Sequence, residues 1–386
     1  MYEILINKNQ EEKEVALVEN GKLIEYYKNS DNDNIIEGNI YIGIVKDIIK
    51  GMQAAFVDIG VGKNSFIHVK DSIPQIDEKR EKFNENIAIR DVLKSGQKIL
   101  VQVKKDSSLQ KGARISTHIN LAGKYIAYMP NTDIITVSQK ITDKKEQERL
   151  IKIVKENISE GNGAVIRTSA VGKEKEIVAD IKNAEKKWQK IEKEYKNDKD
   201  NKPRLIMKSE GIAEKMIIDL PEKSIEKIIT NDINSYDTLK KYSISIEMMN
   251  DENPFEKYNL KNEIEKINNR KIWLKCGGFI TIDNTEALTA IDVNTGKYTG
   301  KRNIEETILR VNQEATIEIA KQLRLKDIGG IIIIDYIDMK DEKDKEKIEN
   351  LLIDELKKDR TKTQVEGFTK LDLMELTRKH ICSHQE

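Results

Sequence analysis

Residues 279–296 read FITIDNTEALTAIDVNTG, and residues 330–338 read GIIIIDYID. The first stretch alternates apolar and polar side chains in two short runs, which predicts two strands joined by a turn at Asp283-Asn284-Thr285. The second, opened by Gly329-Gly330, is a continuous apolar run of buried-strand type. Between them Ile304, Ile308, Val311, Ala315 and Ile319 share one face of a helix, and Asn303 with Glu306 three positions on makes an N-x-x-E capping arrangement at its start. A strand, a helix of about twenty residues and a second strand is the connection that joins parallel neighbours in one sheet. A further amphipathic helix carries Ile348, Leu351, Leu352 and Leu356. The fold class is α/β.

Asp292 ends the strand ALTAID and Asp335 ends the strand IIIID. Parallel strands place their carboxyl ends at one edge of the sheet, where ligands bind in such folds, so the two carboxylates are expected close together. An apolar strand does not readily bury an unpaired carboxylate, and a bound cation resolves that conflict. Oxygen-only ligands favour Mg²⁺, or Mn²⁺, over zinc. Asn294 follows two residues after Asp292 and in an extended chain shares its face, positioned to supply a third oxygen or to orient an aspartate. The competing explanation is structural: a strand-end aspartate also caps a following helix or pairs with Lys297, Lys301 or Arg302. Asp338 is expected on the face opposite Asp335, and Asp283 is assigned to the turn.

Upstream, EILIN and EVALVE read as a hairpin within the first thirty or so residues, ended by the polar stretch NSDNDN. From Asn39 to about His118 the strands NIYIGIVKDII, AAFVDIG, NSFIHVK, ILVQVKK and ARISTHI follow closely, as in a small barrel, with DEKREKFNENIAIRD as an inserted loop or short helix. Phe56 and Phe66 stand near the turn Gly60-Val61-Gly62, with Lys63, Lys105 and Lys111 in neighbouring strands or loops. Rings plus ammonium groups on a small barrel suit base stacking and phosphate contact in single-stranded nucleic acid; the alternative for either ring taken alone is the barrel core. Next come the strands KYIAYMP and IITVS, a helix in KKEQERLIKIVKEN and the strand AVIRTSA, where Arg167-Thr168 is a weak phosphate-binding candidate. Ile177, Ile181, Ala184, Trp188, Ile191 and Tyr195 line one face of a long helix. It runs into the charged linker KNDKDNKPR, the strongest boundary signal in the chain. Residues 203–270 alternate strand and helix as a scaffold.

The chain has 386 residues, enough for about two or three domains. Its 67 basic and 67 acidic residues exclude a uniformly basic nucleic-acid coat, so any polyanion must meet local basic patches. Two cysteines, Cys276 and Cys382, and four histidines offer no CxxC or HExxH spacing, which argues against a disulfide framework and a zinc site and for a reducing compartment. No apolar run reaches the length of a membrane span and the amino terminus lacks a signal layout, so a cytoplasmic protein with no membrane partner is expected. Neither Gly62-Lys63 nor Gly172-Lys173 completes a G-x-x-x-x-G-K-[ST] loop, so no nucleotide cofactor is expected.

The strings TEALTAIDVNTGK, IEET, AKQLRLKDIGGIIIIDYIDM, AAFVDIG, LAGKYIAYMPN and IRTSAVGK occur in order along the chain and together resemble the catalytic half of the ribonuclease E/G family. The resemblance implies an endoribonuclease that cleaves single-stranded RNA, favours 5′-monophosphorylated ends and acts in rRNA or tRNA processing or mRNA decay. It implies an α/β multidomain architecture: an RNase H-like subdomain from residues 1–35 plus 203–267, an OB-fold RNA-binding domain over 36–117, a 5′-end sensor over 118–202 and a DNase I-like catalytic subdomain over 268–386. The family's metal-binding aspartates fall on Asp292 and Asp335 and its supporting asparagine on Asn294. Its RNA-contacting residues fall on Phe56, Phe66, Lys105 and Lys111. The 5′-phosphate pocket falls on Gly123, Ala127, Arg167 and Thr168, with a distant basic member at Lys362, where other members carry Arg. Family members usually join two protomers through a Cys-Pro-x-Cys zinc link, and the resemblance leaves a homodimer or higher oligomer open for this chain. Here HICSHQE offers Cys382 alone, with His384 as the other conceivable ligand, so structural zinc is not expected. The sequence is closest to the compact, ribonuclease G-like type.

These readings predict metal-assisted hydrolysis: Mg²⁺ held by Asp292 and Asp335 polarises the scissile phosphate and activates water, leaving a 5′-phosphate and a 3′-hydroxyl. The rivals are a non-catalytic RNA-binding protein and an interaction platform for ribosome or RNA-decay partners.

Overall fold

Leu288–Asn294 and Gly330–Asp335 are neighbouring parallel strands, joined by the helix Ile304–Leu325. The computed structural model describes residues 1–30, 35–73, 87–107, 111–221, 223–250, 252–296 and 304–381. The chain is a mixed α/β protein that divides into two units, residues 1–33 with 223–382 and residues 34–222 with the last four.

In the first unit the two parallel strands sit in a six-stranded sheet. Its order is Lys271–Trp273, Phe279–Asn284, Leu288–Asn294, Gly330–Asp335, Leu373–Arg378, Thr363–Phe368, and every other pairing is antiparallel. One face of the sheet packs against Ile304–Leu325 and Glu342–Leu356. Ile280, Ile291, Val293, Ile332 and Ile334 meet Val311, Ala315, Ile319, Ile348 and Leu352 in one core. The other face is open: Ile331, expected in a strand buried on both sides, is 51% exposed. The antiparallel flanks supply the reason, because they need no second layer of crossover helices. At the helix start Ile304 is 76% exposed, so the apolar stripe begins to bury only further along, with Val311 fully enclosed. Asn303, the expected cap, lies outside the described residues.

Asp283 and Asn284 belong to the strand Phe279–Asn284, not to the turn. The turn is closed by Thr285, whose backbone N–H donates to the Leu288 carbonyl at 2.9 Å and whose hydroxyl donates to the same oxygen at 2.7 Å. Arg378 anchors this unit. Its buried guanidinium donates to Asp359 at 2.7 Å, Asp327 at 2.8 Å and the Ile328 carbonyl at 2.9 Å. A second sheet of five strands has the order Ser245–Met248, Ile225–Thr230, Tyr2–Lys8, Glu12–Glu19, Lys22–Ser30. The amino-terminal hairpin is thus extended by a third strand and by parallel partners more than two hundred residues away.

In the second unit five strands close on themselves in the order Ile40–Ile49, Ala54–Asp58, Ser65–His68, Arg114–Ser116, Lys98–Lys105, the last pairing back to the first. The strand Arg204–Met207, beyond the Pro203 linker, adds to Ile40–Ile49. Ile89–Val92 is a short helix, whereas residues 77–86 of the expected insertion lie outside the described residues. A four-stranded sheet built around Ile126–Pro130 and Asn162–Ile166 packs against the helices Lys144–Asn157 and Glu174–Asn197. Ile177, Ile181, Ala184, Trp188 and Ile191 are buried there as the spacing predicted. No helix among the described residues is long and apolar enough to cross a membrane.

Candidate functional site

Asp292 and Asp335 are register partners across the parallel pair. Along Leu288–Asn294 the odd-numbered side chains enter the core, while Ala290 and Asp292 emerge on the open face; Asp335 emerges beside them. The Asn294 amide donates to Asp292 Oδ2. Gly278 lets the preceding loop lie against this point, since a Cβ there would stand 2.8 Å from the Asn294 carbonyl oxygen and 3.0 Å from Val311. Burial, then the charges of Asp292 and Asp338, push the Asp335 carboxyl above its ordinary value. Two carboxylates side by side resist joint ionisation unless a cation joins them.

Asp338 is close enough to contribute to that shift because the strand ends at Asp335, so alternation no longer governs where Asp338 lies. Asp335 does not cap the next helix: Asp341 does, accepting from the Lys343 backbone at 2.9 Å. Asp283, one strand over, is held below its ordinary value by Arg270, which donates to both its oxygens at 2.5 and 2.7 Å. Lys297, Lys301 and Arg302 lie outside the described residues. Among the described residues no group of three or more His, Cys, Asp or Glu is arranged to hold a metal. The donor set here is smaller, two carboxylates and an amide. That fits Mg²⁺, which binds through one or two carboxylates and fills its other positions with water and phosphate oxygens. Cys382 and His384 lie outside the described residues.

On the barrel, Phe56 and Phe66 are register partners, their rings edge to face with centroids 6.3 Å apart. Neither belongs to the barrel core, and Phe56 is 37% exposed. Phe66 pairs in turn with Arg114, and Arg114 with Lys105, so four adjacent strands set two rings and two cations in one row. Arg114 donates to Asp71 Oδ2 through Nε at 3.2 Å and Nη2 at 2.8 Å. Lys105 and Lys111 are both exposed.

Gly123 opens a tight hairpin, its N–H bonding the Ile126 carbonyl at 2.9 Å, and a side chain there would collide with the Asp180 carboxylate. Asp180 accepts from the Tyr125 and Ile126 backbone at 2.8 and 3.1 Å, and burial pushes its carboxyl up. Ala127 is buried on the strand that leaves this hairpin, opposite Val165. Arg167 follows the partner strand. Its backbone bonds the Tyr125 carbonyl at 2.9 Å and its guanidinium donates to Asp219 at 2.7 Å. Thr168 is exposed beside it. Lys362 is exposed in the first unit, just before Thr363–Phe368.

The ribonuclease E/G family model matches residues 120–381. The chain is 37% identical over 391 aligned residues to ribonuclease G of Salmonella typhimurium strain SL1344, covering 98% of this chain and 79% of that protein. It is 36% identical to ribonuclease G of Haemophilus influenzae with the same coverage. It is 32% identical to ribonuclease E of Escherichia coli K12 over 99% of this chain and 37% of that protein. The chain belongs to the ribonuclease E/G family. Within the ribonuclease E/G frame, sequence reasoning passed over Arg114, Asp180, Asp219 and Arg270. Arg114 alone carried a usable signal, as a cation alternating with the buried Ile115. The other three are visible only through partners 13 to 55 residues away.

Proposed function

We propose that the chain is an endoribonuclease of RNA processing or decay whose reactive centre is Asp292, Asp335 and Asn294 on the open sheet edge. The observation that carries this reading is the direct register of Asp292 with Asp335. Asp292 and Asp335 would hold a divalent cation, Mg²⁺ or Mn²⁺, which when bound supplies charge neutralisation at the scissile phosphate and a more acidic water. Asn294 fixes one carboxylate oxygen of Asp292, leaving the other to face the ligand. Burial, then the charges of Asp292 and Asp338, raise the Asp335 carboxyl, and a cation held there would offset that repulsion.

The finer assignments are of the same standing. The closed five-stranded barrel serves as an OB-fold RNA clamp, stacking bases on Phe56 and Phe66 and meeting phosphates through Lys105 and Lys111. Gly123, Ala127, Arg167 and Thr168 form a 5′-phosphate sensor, with Lys362 as its more distant cation. Arg167 already grips one anion, Asp219, so a phosphate takes its place by exchange. Residues 1–35 with the part of 203–267 beyond the barrel-paired strand Arg204–Met207 form an RNase H-like subdomain, and residues 268–386 a DNase I-like one. The substrate is single-stranded RNA and the compartment the cytoplasm.

The test is cleavage of a short single-stranded oligonucleotide in 5′-monophosphate and 5′-hydroxyl forms, with and without Mg²⁺. Mg²⁺-dependent cutting that is faster on the monophosphate is expected. RNA binding without cutting in any divalent cation would contradict the enzyme reading.

A further inference from the structure

The open face of the six-stranded sheet carries a second feature, two strands from the aspartates. Cross-strand register places Trp273, Phe279 and Asn294 in one row and Lys271, Thr281, Asp292 and Asp335 in the next. The Trp273 and Phe279 rings meet edge to face with centroids 5.3 Å apart. The Lys271 ammonium stands 4.2 Å from the Trp273 ring centroid and 3.5 Å from that of Phe279. Neither ring joins the core on the far side of the sheet, and Trp273 is 57% exposed. Packing therefore does not account for an aromatic pair here. With strands about 4.8 Å apart, Phe279 lies one spacing and Trp273 two spacings from Asn294.

We infer that Trp273, Phe279 and Lys271 form a subsite that stacks one unpaired RNA base next to the scissile phosphate. The inference rests on the reading of Asp292 and Asp335 as the reactive centre. A base bound through its π-face is held whatever its identity, so the subsite adds affinity and position but reads little sequence. Lys271, clamped over the rings and in the carboxylates' own row two strands from Asp292, offers its charge to the adjoining phosphate. It also offsets the repulsion that an acidic centre exerts on an RNA backbone. The sequence gives only the alternation Lys271-Ile272-Trp273, too short to show a period.

The experiment is an abasic scan: one nucleotide at a time around the cut is replaced by an abasic residue, in the parent, Trp273→Ala and Trp273→Phe. In the parent, one position beside the cut should cost about 5- to 150-fold in kcat/KM, mainly through KM. In Trp273→Ala that position should cost nothing further, and Trp273→Phe should restore most of the penalty. A second readout is independent of cleavage. In EDTA, the oligonucleotide should quench the emission of Trp273 in the parent, and Trp273→Phe should lose that quenching, leaving only buried Trp188. An unchanged abasic profile in Trp273→Ala, or no quenching attributable to Trp273, overturns the subsite. If the parent fails to cut at all, the reactive-centre reading falls, and quenching alone then decides whether the rings bind RNA.

Discussion

Replacing Arg378 by methionine tests how the strand carrying Asp335 is held in place. Arg378, Asp327 and Asp359 are all fully enclosed, and the guanidinium is the shared partner of both carboxylates. Asp327 sits in a left-handed turn, φ 48°, just ahead of Gly329-Gly330, and also accepts from the Ile381 backbone at 3.0 Å. It therefore ties the start of Gly330–Asp335 to the end of Leu373–Arg378. Methionine keeps much of the volume but removes the guanidinium from which both buried carboxylates accept, a loss of about 3–5 kcal/mol. Against a total stability of about 5–15 kcal/mol this is a large share. Amide hydrogen exchange in the two strands should accelerate by about two to four powers of ten, while the barrel strands keep their rates. Adding Asp327→Asn and Asp359→Asn should recover most of the protection, because the side chains enclosed there are then neutral. Parent-like exchange in Arg378→Met, or a triple variant as fast as the single one, would refute the reasoning.

Four further outcomes follow from the geometry. Phe56→Ala and Phe66→Ala should each weaken binding of a single-stranded oligonucleotide by about 5- to 150-fold. Lys105→Ala and Lys111→Ala should each flatten the slope of log affinity against log salt by about 0.7; anisotropy titrations across salt concentration check both. Arg167→Ala should equalise kcat/KM for 5′-monophosphate and 5′-hydroxyl substrates, while Asp219→Asn, which removes the anion Arg167 now grips, should raise that ratio severalfold. Asp232 caps the helix Ile233–Leu239; burial works to raise its carboxyl, but hydrogen bonds from Ser235 and Lys13 outweigh this and hold it below its ordinary value. Its contribution is present above the unfolded-chain pKa of about 3.9 and fades as pH falls through the lower folded value. Asp232→Ala should thus cost about 1 kcal/mol near neutrality and progressively less in acid, read from Tm against pH.

The aspartate pair was legible because a strand, a helix and a strand leave one arrangement, and both acids fall at strand ends. The five barrel strands were legible for a similar reason, each being short, alternating and bounded by turn residues. What escaped depends on partners distant in sequence. Ile331 to Ile334 are identical side chains, so nothing in the string says that Ile331 faces solvent while Ile332 and Ile334 are buried. Asp283 has a turn-former's side chain, yet it pairs with Ala290 in the strand ladder and the turn moves to Thr285. The linker before Pro203 reads as a boundary by composition, although Arg204–Met207 pairs with a strand more than 150 residues earlier. Arg378, Asp327 and Asp359 look like solvated charges until the fold encloses them together.

The central claim, that Asp292 and Asp335 act as one cation-binding pair, is tested most directly by single-turnover cleavage at saturating RNA and Mg²⁺. Asp292→Asn and Asp335→Asn should each cut at least about a thousandfold more slowly than the parent, as loss of several kcal/mol of charge stabilisation requires, with RNA affinity unchanged. Either variant cutting at the parent's rate would contradict the claim.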